Sequence, residues 1–498
     1  MASATKAALA RLRAAKIDGR TENVRYRQSQ LQYLHRELIA IQDELRAAIR
    51  KDTSVSEAEA DVEFAAGMTC VKDTYETLDF DKSLSDEYSV ARGQDFTQRR
   101  RGVGLVYVKT GIDFPFFSVL APLAAAIAAE NCVLVQVNAD LRYLPGLLKQ
   151  AIGKALDPDA VAVIDDDVSD ETLFTEAVIV DQRPEPHAPL RVNVLASRGK
   201  SRVVAVVDRS ADVEAAARSL VRARLAYNGR SSYAPDLIVV NEFVKKPFLE
   251  ATARLINAYS DAGPSRRATA SKQIEADPSS KVEASGDAGL VVDVSSRSSP
   301  LLQSKISEPA LLVTATTSLE DAIDYLTASL SKSQSSESET TYLASYIFAN
   351  PPTAKYLSQF IPSSASFINH IPSDLLIGPA APYFPQQPLD VTRRYTPEMF
   401  SMCSPEIAQT SPPAAKAAFA LFGESSGQVQ PKEALSAKQL AELAAQPLKP
   451  TGQPLQHAKI GFFEQGILIG LGTAATPILL TLGTGLYFGV RALWSRFH

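Results

Sequence analysis

The sequence predicts an α/β protein built from two parallel-sheet units and followed by one C-terminal helix able to cross a membrane. Short apolar, β-branched runs alternate with helical stretches, a second set of the same kind follows, and a 25-residue run near the C-terminus carries no charge. A chain of 498 residues has room for two or three domains or one large interlocked unit.

The elements follow in order. The opening stretch MASATKAALARLRAAKIDGR is basic but lacks the continuous apolar centre of a secretory signal. It reads as a first helix; an amphipathic transit peptide is the alternative, because no acid precedes Asp18. Leu31, Leu34, Leu38, Ile41, Leu45 and Ile49 recur at helical spacing within 21–52, and a second helical run covers 55–79, so a helical hairpin is expected. GVGLVYV (102–108), NCVLVQV (131–137), AVAVID (160–165) and EAVIVD (176–181) then read as strands, separated by helices over 118–130 and 144–156. Strands alternating with helices imply a parallel sheet with right-handed crossovers, an architecture used for dinucleotides.

The second set comprises VVAVVD (203–208), a helix over 212–227, LIVVNE (237–242), a helix over 245–259 and ALLVTAT (310–316). Residues 263–299 and 329–341 are rich in serine and charge and read as mobile insertions or surface loops. No GxGxxG follows any strand, and after EAVIVD the chain reads QRPEPHAPLRVNV, without glycine, so a phosphate cradle is not expected there.

From Gly466 to Val490 the sequence GILIGLGTAATPILLTLGTGLYFGV exceeds the roughly 30 Å hydrocarbon layer at about 1.5 Å per residue. Lys459 and Glu464 precede it, and Arg491, Trp494 and Arg496 follow as interfacial anchors. Its position points to a tail anchor with the bulk of the chain cytosolic. Gly466/Gly470 and Gly485/Gly489 have GxxxG spacing, which lets two such helices approach. Residues 446–456, rich in proline and glutamine, read as a linker.

Composition narrows the function. Against 51 Lys+Arg stand 56 Asp+Glu, a formal net charge of -5, which leaves no basic excess for nucleic acid. Three cysteines without a CxxC pair exclude a disulfide framework, and five scattered histidines offer no metal constellation. Asp165, Asp166, Asp167, Asp170 and Glu171 read as a solvated acidic loop rather than a cation site, and Cys132 as a small core residue.

The run GVGLVYVKTGIDFPFFSVLAPLAAAIAAENCVLVQVNAD (102–140) resembles the cofactor-domain core of the aldehyde dehydrogenases, especially the fatty-aldehyde branch with a C-terminal membrane segment. Blocks at 195–242, 300–323 and 364–372 fall in the same order, and the resemblance covers most of 20–400. It implies two Rossmann-type domains plus a dimerisation ribbon, with 1–194 as the helical hairpin and cofactor-type domain and 195–375 as the catalytic-type domain. A C-terminal segment and linker over 376–465 and a transmembrane helix over 466–490 complete that division.

The resemblance also assigns positions. The family's chemistry needs a thiolate, an oxyanion donor, a carboxylate base and NAD(P). In YNGRSSYAPD (227–236), anchoring on Ala234-Pro235-Asp236 puts Ser232 where the cysteine belongs. A hydroxyl is far less acidic than a thiol of pKa about 8.5 and needs a base beside it. Ala196 holds the place of that glutamate, in ASRGK (196–200) against an ELGGK-like motif. Gln136 stands for the lysine of the KPSE motif that holds the adenosine ribose. In Ser304-Lys305-Ile306-Ser307-Glu308-Pro309, aligned with EEIFGP, Lys305 replaces the glutamate that grips the nicotinamide ribose, and Ser307 is substituted too. Asp113 replaces the oxyanion-donating asparagine, and an ionised carboxylate only accepts. The glycine-bearing loop between Asp181 and Arg191 reads as deleted, and Cys403 lies beyond the resemblance.

Losses at nucleophile, base, oxyanion and both ribose contacts imply a pseudoenzyme that works as a scaffold or regulatory partner without a cofactor. Its expected partners are the bilayer, through 466–490, and a second copy or a related chain, on an organelle surface such as the endoplasmic reticulum. The alternative is a membrane-bound NAD(P)-dependent oxidoreductase that converts a long-chain or polyprenyl aldehyde to the acid.

Overall fold

The computed structural model describes residues 2–168, 172–183, 193–258, 272–331, 340–382, 389–409, 437–448 and 462–497. It divides into two compact units, Met1–Gln409 and Thr410–His498.

In the first unit, a five-stranded all-parallel sheet has the spatial order Val161–Ile164, Cys132–Gln136, Leu105–Lys109, Val178–Asp181, Val194–Ala196. The first strand in sequence lies at the centre and the chain winds outward on one side, then on the other. The order therefore reverses between Leu105–Lys109 and Val178–Asp181, and their carboxyl ends open the crevice where such sheets take ligands. Leu105–Val108 and Cys132–Val135 are fully buried, because helices on both faces cover the sheet.

The seven-stranded sheet runs Ser366–Ile368, Ala344–Phe348, Val203–Val207, Leu237–Asn241, Ala310–Thr316, Leu290–Val294, Ser280–Ser285, parallel except for the last pair. Alternation divides each strand between two cores. Val203, Ala205 and Val207 face one side with Ile238 and Val240, while Val204 and Val206 face the other with Leu237 and Val239. Both faces are dry, so the strands read as continuous apolar runs.

Several expectations are corrected. The predicted hairpin over 21–52 and 55–79 is three helices, Val24–Ala40, Gln42–Thr53 and Glu57–Glu76, preceded by Ala2–Asp18. The apolar stripe continues through Ile41, but that residue leaves helical geometry (φ -118°, ψ 24°) and breaks the rod, so the halves pack separately. Of 263–299, residues 263–271 lie outside the described residues, and the remainder is not one surface loop. Ser280–Ser285 and Leu290–Val294 close the edge of the large sheet, where an exposed edge strand tolerates the polar residues that suggested a loop. Of 329–341, residues up to 331 finish the helix Leu319–Ser331 and 332–339 lie outside the described residues. Arg100–Gly102 belongs to a separate two-stranded ribbon with Ser401–Cys403, formed from segments far apart in sequence.

The second unit contains Ala437–Ala444 and Phe462–Phe497. Most of the 446–456 linker and the deletion read between Asp181 and Arg191 lie outside the described residues. Within the long helix, Glu464–Phe488 is long and apolar enough to cross a membrane. Ile467, Leu471, Leu480 and Phe488 stand exposed around it, an arrangement suited to lipid and costly in water. Thr473, Thr476, Thr481 and Thr484 each return the hydroxyl to a carbonyl one turn back, which satisfies it where no water is present.

Candidate functional site

The helix Val213–Leu225 ends in a loop of three successive left-handed residues, Tyr227 (φ 52°), Asn228 (φ 56°) and Gly229 (φ 76°). Such backbone costs about 1–2 kcal/mol at each non-glycine residue and persists only where the surroundings enforce it. Here Tyr227 N–H donates to Glu59 Oε1 at 2.5 Å, Asn228 Nδ2 donates to Ser54 O at 3.1 Å, and Arg230 donates to Thr53 O. The helical layer thus holds the loop that presents Ser231 and Ser232.

Gly229 is needed twice over, for its positive φ and because a Cβ there would come within 2.6 Å of the Glu308 carbonyl. Gly229→Ala is expected to lower the unfolding free energy by more than about 2 kcal/mol in chemical denaturation. A loss below about 0.5 kcal/mol, the size of an ordinary surface change, contradicts this.

Asp236, 1% exposed, ties three segments together. It accepts from Val203 N–H at 2.8 Å and Ile306 N–H at 3.1 Å, and pairs with Arg224 at 3.4 Å and Lys305 at 3.1 Å. Lys305 Nζ also donates to Ser232 O at 2.5 Å and Ser201 O at 3.2 Å. Arg224, fully buried, donates to the carbonyls of Gly229, Ile306 and Glu308. The Ser232 loop and the 304–309 segment are therefore riveted through one carboxylate and two cations.

A cavity of about 610 Å³ opens beside these loops, at the carboxyl ends of Leu105–Lys109, Val178–Asp181 and Val194–Ala196. The fold brings Asp113, Ser232, Lys305 and Ser307 together in its wall. Ala196 is the last residue of its strand and is not in the lining, which takes the following residue, Ser197, instead. Gln136 is not in it either: it accepts from the Tyr107 hydroxyl and donates to Asp167 at 3.1 Å. Asp167 also faces Lys109 at 3.6 Å, and Asp165 pairs with Lys149 at 2.6 Å. Both acids are exposed, as expected of a solvated loop, while Asp170 and Glu171 lie outside the described residues. Among the described residues no group of acids, histidines and cysteines is arranged to hold a metal.

Asp113 faces Arg230 at 3.9 Å, and burial raises its carboxyl above the ordinary range while Arg230 opposes the shift. Behind it, the helix Pro115–Ala128 has no side-chain cap of its own; Glu63 Oε1 accepts from Phe116 N–H at 2.9 Å and Phe117 N–H at 3.4 Å. Burial pushes the Glu63 carboxyl up to about 8 despite those donors. The two core cysteines are poor nucleophiles: burial raises the Cys132 thiol to about 11 and the Cys70 thiol to about 12. Cys403 is exposed on the ribbon, where Arg100 donates to its sulfur at 3.1 Å.

Sequence reasoning missed Arg230, Ser118, Gln182, Glu63 and Arg224. Only Gln182 carried a signal, as the residue just past a strand whose carboxyl end borders the point where the sheet reverses.

Residues 1–178 match the family model described as the aldehyde dehydrogenase family. An aldehyde dehydrogenase of Craterostigma plantagineum is 26% identical over 245 residues, which cover 46% of this chain and 51% of that protein; the chain thus spans about half of that relative. Aldehyde dehydrogenase family 3 comG of Dictyostelium discoideum is 20% identical over 346 residues, 63% of this chain and 74% of that protein. The substrate-bound Staphylococcus aureus AldH structure superposes with a TM-score of 0.62 at 15% identity, covering 82% of this chain and 94% of that one.

Proposed function

We propose that this chain, which belongs to the aldehyde dehydrogenase superfamily, is a membrane-anchored pseudoenzyme that acts as a scaffold or regulatory partner and does not oxidise aldehydes. The observation that carries the reading is the state of Lys305. Where the family keeps a ribose-gripping glutamate, an ammonium group is bonded to Asp236, Ser201 O and Ser232 O. It offers a dinucleotide no acceptor and pins the backbone of the residue in the nucleophile's place.

The residues present do not fit NAD(P). Gln136, at the other ribose position, is spent on Tyr107 and Asp167. Among the described residues no base accepts a hydrogen bond from the Ser232 hydroxyl, and alanine stands at position 196. The helix Glu464–Phe488 serves as the anchor, with the bulk of the chain on the cytosolic face of an organelle. A second copy or a related chain docks along the ribbon, where Met402 and Ile407 are 59% and 63% exposed.

Thermal unfolding of the full chain in detergent with NAD or NADP tests the reading. At about a hundredfold over its dissociation constant a ligand of the folded state adds about 2.7 kcal/mol, readily seen as a raised midpoint. No shift is expected with either dinucleotide; a rise would overturn the proposal. The surviving cavity, with Ser232 in its wall, is what favours the second reading, NAD(P)-dependent oxidation of a long-chain or polyprenyl aldehyde.

A further inference from the structure

Glu63 lies behind the cavity wall with half of its carboxyl committed. It is fully buried, Oε1 accepts from the Phe116 and Phe117 amides that open the helix Pro115–Ala128, and Oε2 has no hydrogen-bond partner among the described residues. An ionised Oε2 enclosed without a donor is costly, whereas a protonated one is a neutral hydroxyl, so this packing suits the acid form.

The neighbours of this carboxyl lead to the loop that presents Ser231 and Ser232. Asp113 and Phe114, just before the helix, line the cavity, and the Phe114 ring meets the Tyr227 ring edge-on with centroids 4.8 Å apart. Arg230 is the cation that faces Glu63 among the described residues; it stands 3.9 Å from Asp113 and donates to Thr53 O, one of the three bonds that hold the left-handed loop. Tyr227 on the same loop and Glu59, one turn earlier on the helix of Glu63, complete the titratable groups on this side. The helix Pro115–Ala128 carries none. Val24–Ala40 and Gln42–Thr53, the other helices packed on Glu57–Glu76, turn His35 toward Lys72 and Arg46 toward Asp61 instead.

Two carboxyls therefore stand before one guanidinium. With a proton on Glu63, Arg230 and Asp113 form a balanced pair. Without it two negative charges face one positive charge, and the fully buried carboxylate gains more from the cation than the partly exposed one, because water screens it less.

We infer that Glu63 is a proton-operated latch on the cavity: when it loses its proton, Arg230 leaves Asp113 and Thr53 O for Glu63 Oε2, and the loop carrying Ser231 and Ser232 loosens. Titration of Glu63 near 8 sets this change in mildly alkaline solution. The latch operates independently of aldehyde oxidation.

Hydrogen exchange read by mass spectrometry on the full chain in detergent, corrected for the intrinsic pH dependence of amide exchange, tests it. The amides of Tyr227, Arg230 and Ala234, whose bonds hold the loop, are expected to exchange about tenfold faster at about pH 9 than at about pH 6.5. The gain is expected to be insensitive to low concentrations of urea, as a local opening is. Glu63→Gln cannot ionise and is expected to keep the loop protected at both pH values. Asp113→Asn removes the competing carboxylate and a like charge, so its loop is expected to loosen about one pH unit lower than in the native chain. Equal protection at both pH values in the native chain, the same gain in Glu63→Gln, or a midpoint in Asp113→Asn that stays or rises would overturn the latch. So would a urea dependence as steep as that of the Val203–Val207 amides, which marks unfolding of the whole domain.

Discussion

Replacing Asp236 by asparagine is expected to cost about 3–5 kcal/mol of unfolding free energy, the range for breaking a buried ion pair from one side. The reason is what remains behind. Arg224 is fully buried and keeps its charge, and its one contacting carboxylate among the described residues is Asp236. Lys305 loses its counter-ion in the same step, while the amide still accepts from Val203 N–H or Ile306 N–H. Lys305→Met provides the contrast. It leaves Asp236 paired with Arg224 and two backbone donors, so about 1–2 kcal/mol is expected. Denaturant titration of the two variants checks the order; a cost for Asp236→Asn no greater than for Lys305→Met would show that the carboxylate does not organise the loops.

The second large effect is a pH dependence written into Glu63. Its carboxyl titrates near 8 in the folded chain against an ordinary value of 4.5, because burial disfavours the ion. Below 4.5 both folded and unfolded states hold the proton and the group is neutral in its effect. Between 4.5 and 8 the unfolded chain releases the proton and the folded chain keeps it, so stability falls as pH rises, and above 8 the loss is complete. At about 1.4 kcal/mol per unit the whole window is worth on the order of several kcal/mol. Glu63→Gln keeps an amide oxygen for Phe116 N–H and cannot ionise. Its stability relative to the native chain should therefore climb from pH 4.5 to pH 8 and then level. A difference that stays flat over that range would mean that Glu63 ionises freely.

The strands were legible because covering both faces of a sheet leaves nothing to alternate: VVAVV at 203–207 is apolar throughout since its odd residues face one core and its even residues the other. The break at Ile41 was not legible, because a buried isoleucine fits the stripe on either side of a kink. Ser280–Ser285 was missed for the opposite reason, as one partner strand and solvent exposure demand little of its side chains.

At the site, the resemblance to a known family picked out Asp113, Ser232, Lys305 and Ser307, and these share one cavity. Ala196 and Gln136 stand outside it, because a family position transfers the place in the chain and not the direction in which a substituted residue reaches. Ser118 and Glu63 could not be singled out at all, and Gln182 only by its place just past a strand end. What distinguishes each is an oxygen without a hydrogen-bond partner among the described residues, a property of the folded arrangement that no spacing encodes.

Incubating the full chain with NAD(P) and a fatty aldehyde, and following NAD(P)H by its absorbance, tests the proposed loss of oxidation most directly. No NAD(P)H above the protein-free control is expected, for the native chain and for Ser232→Ala alike. Steady formation by the native chain that disappears in Ser232→Ala would contradict the account.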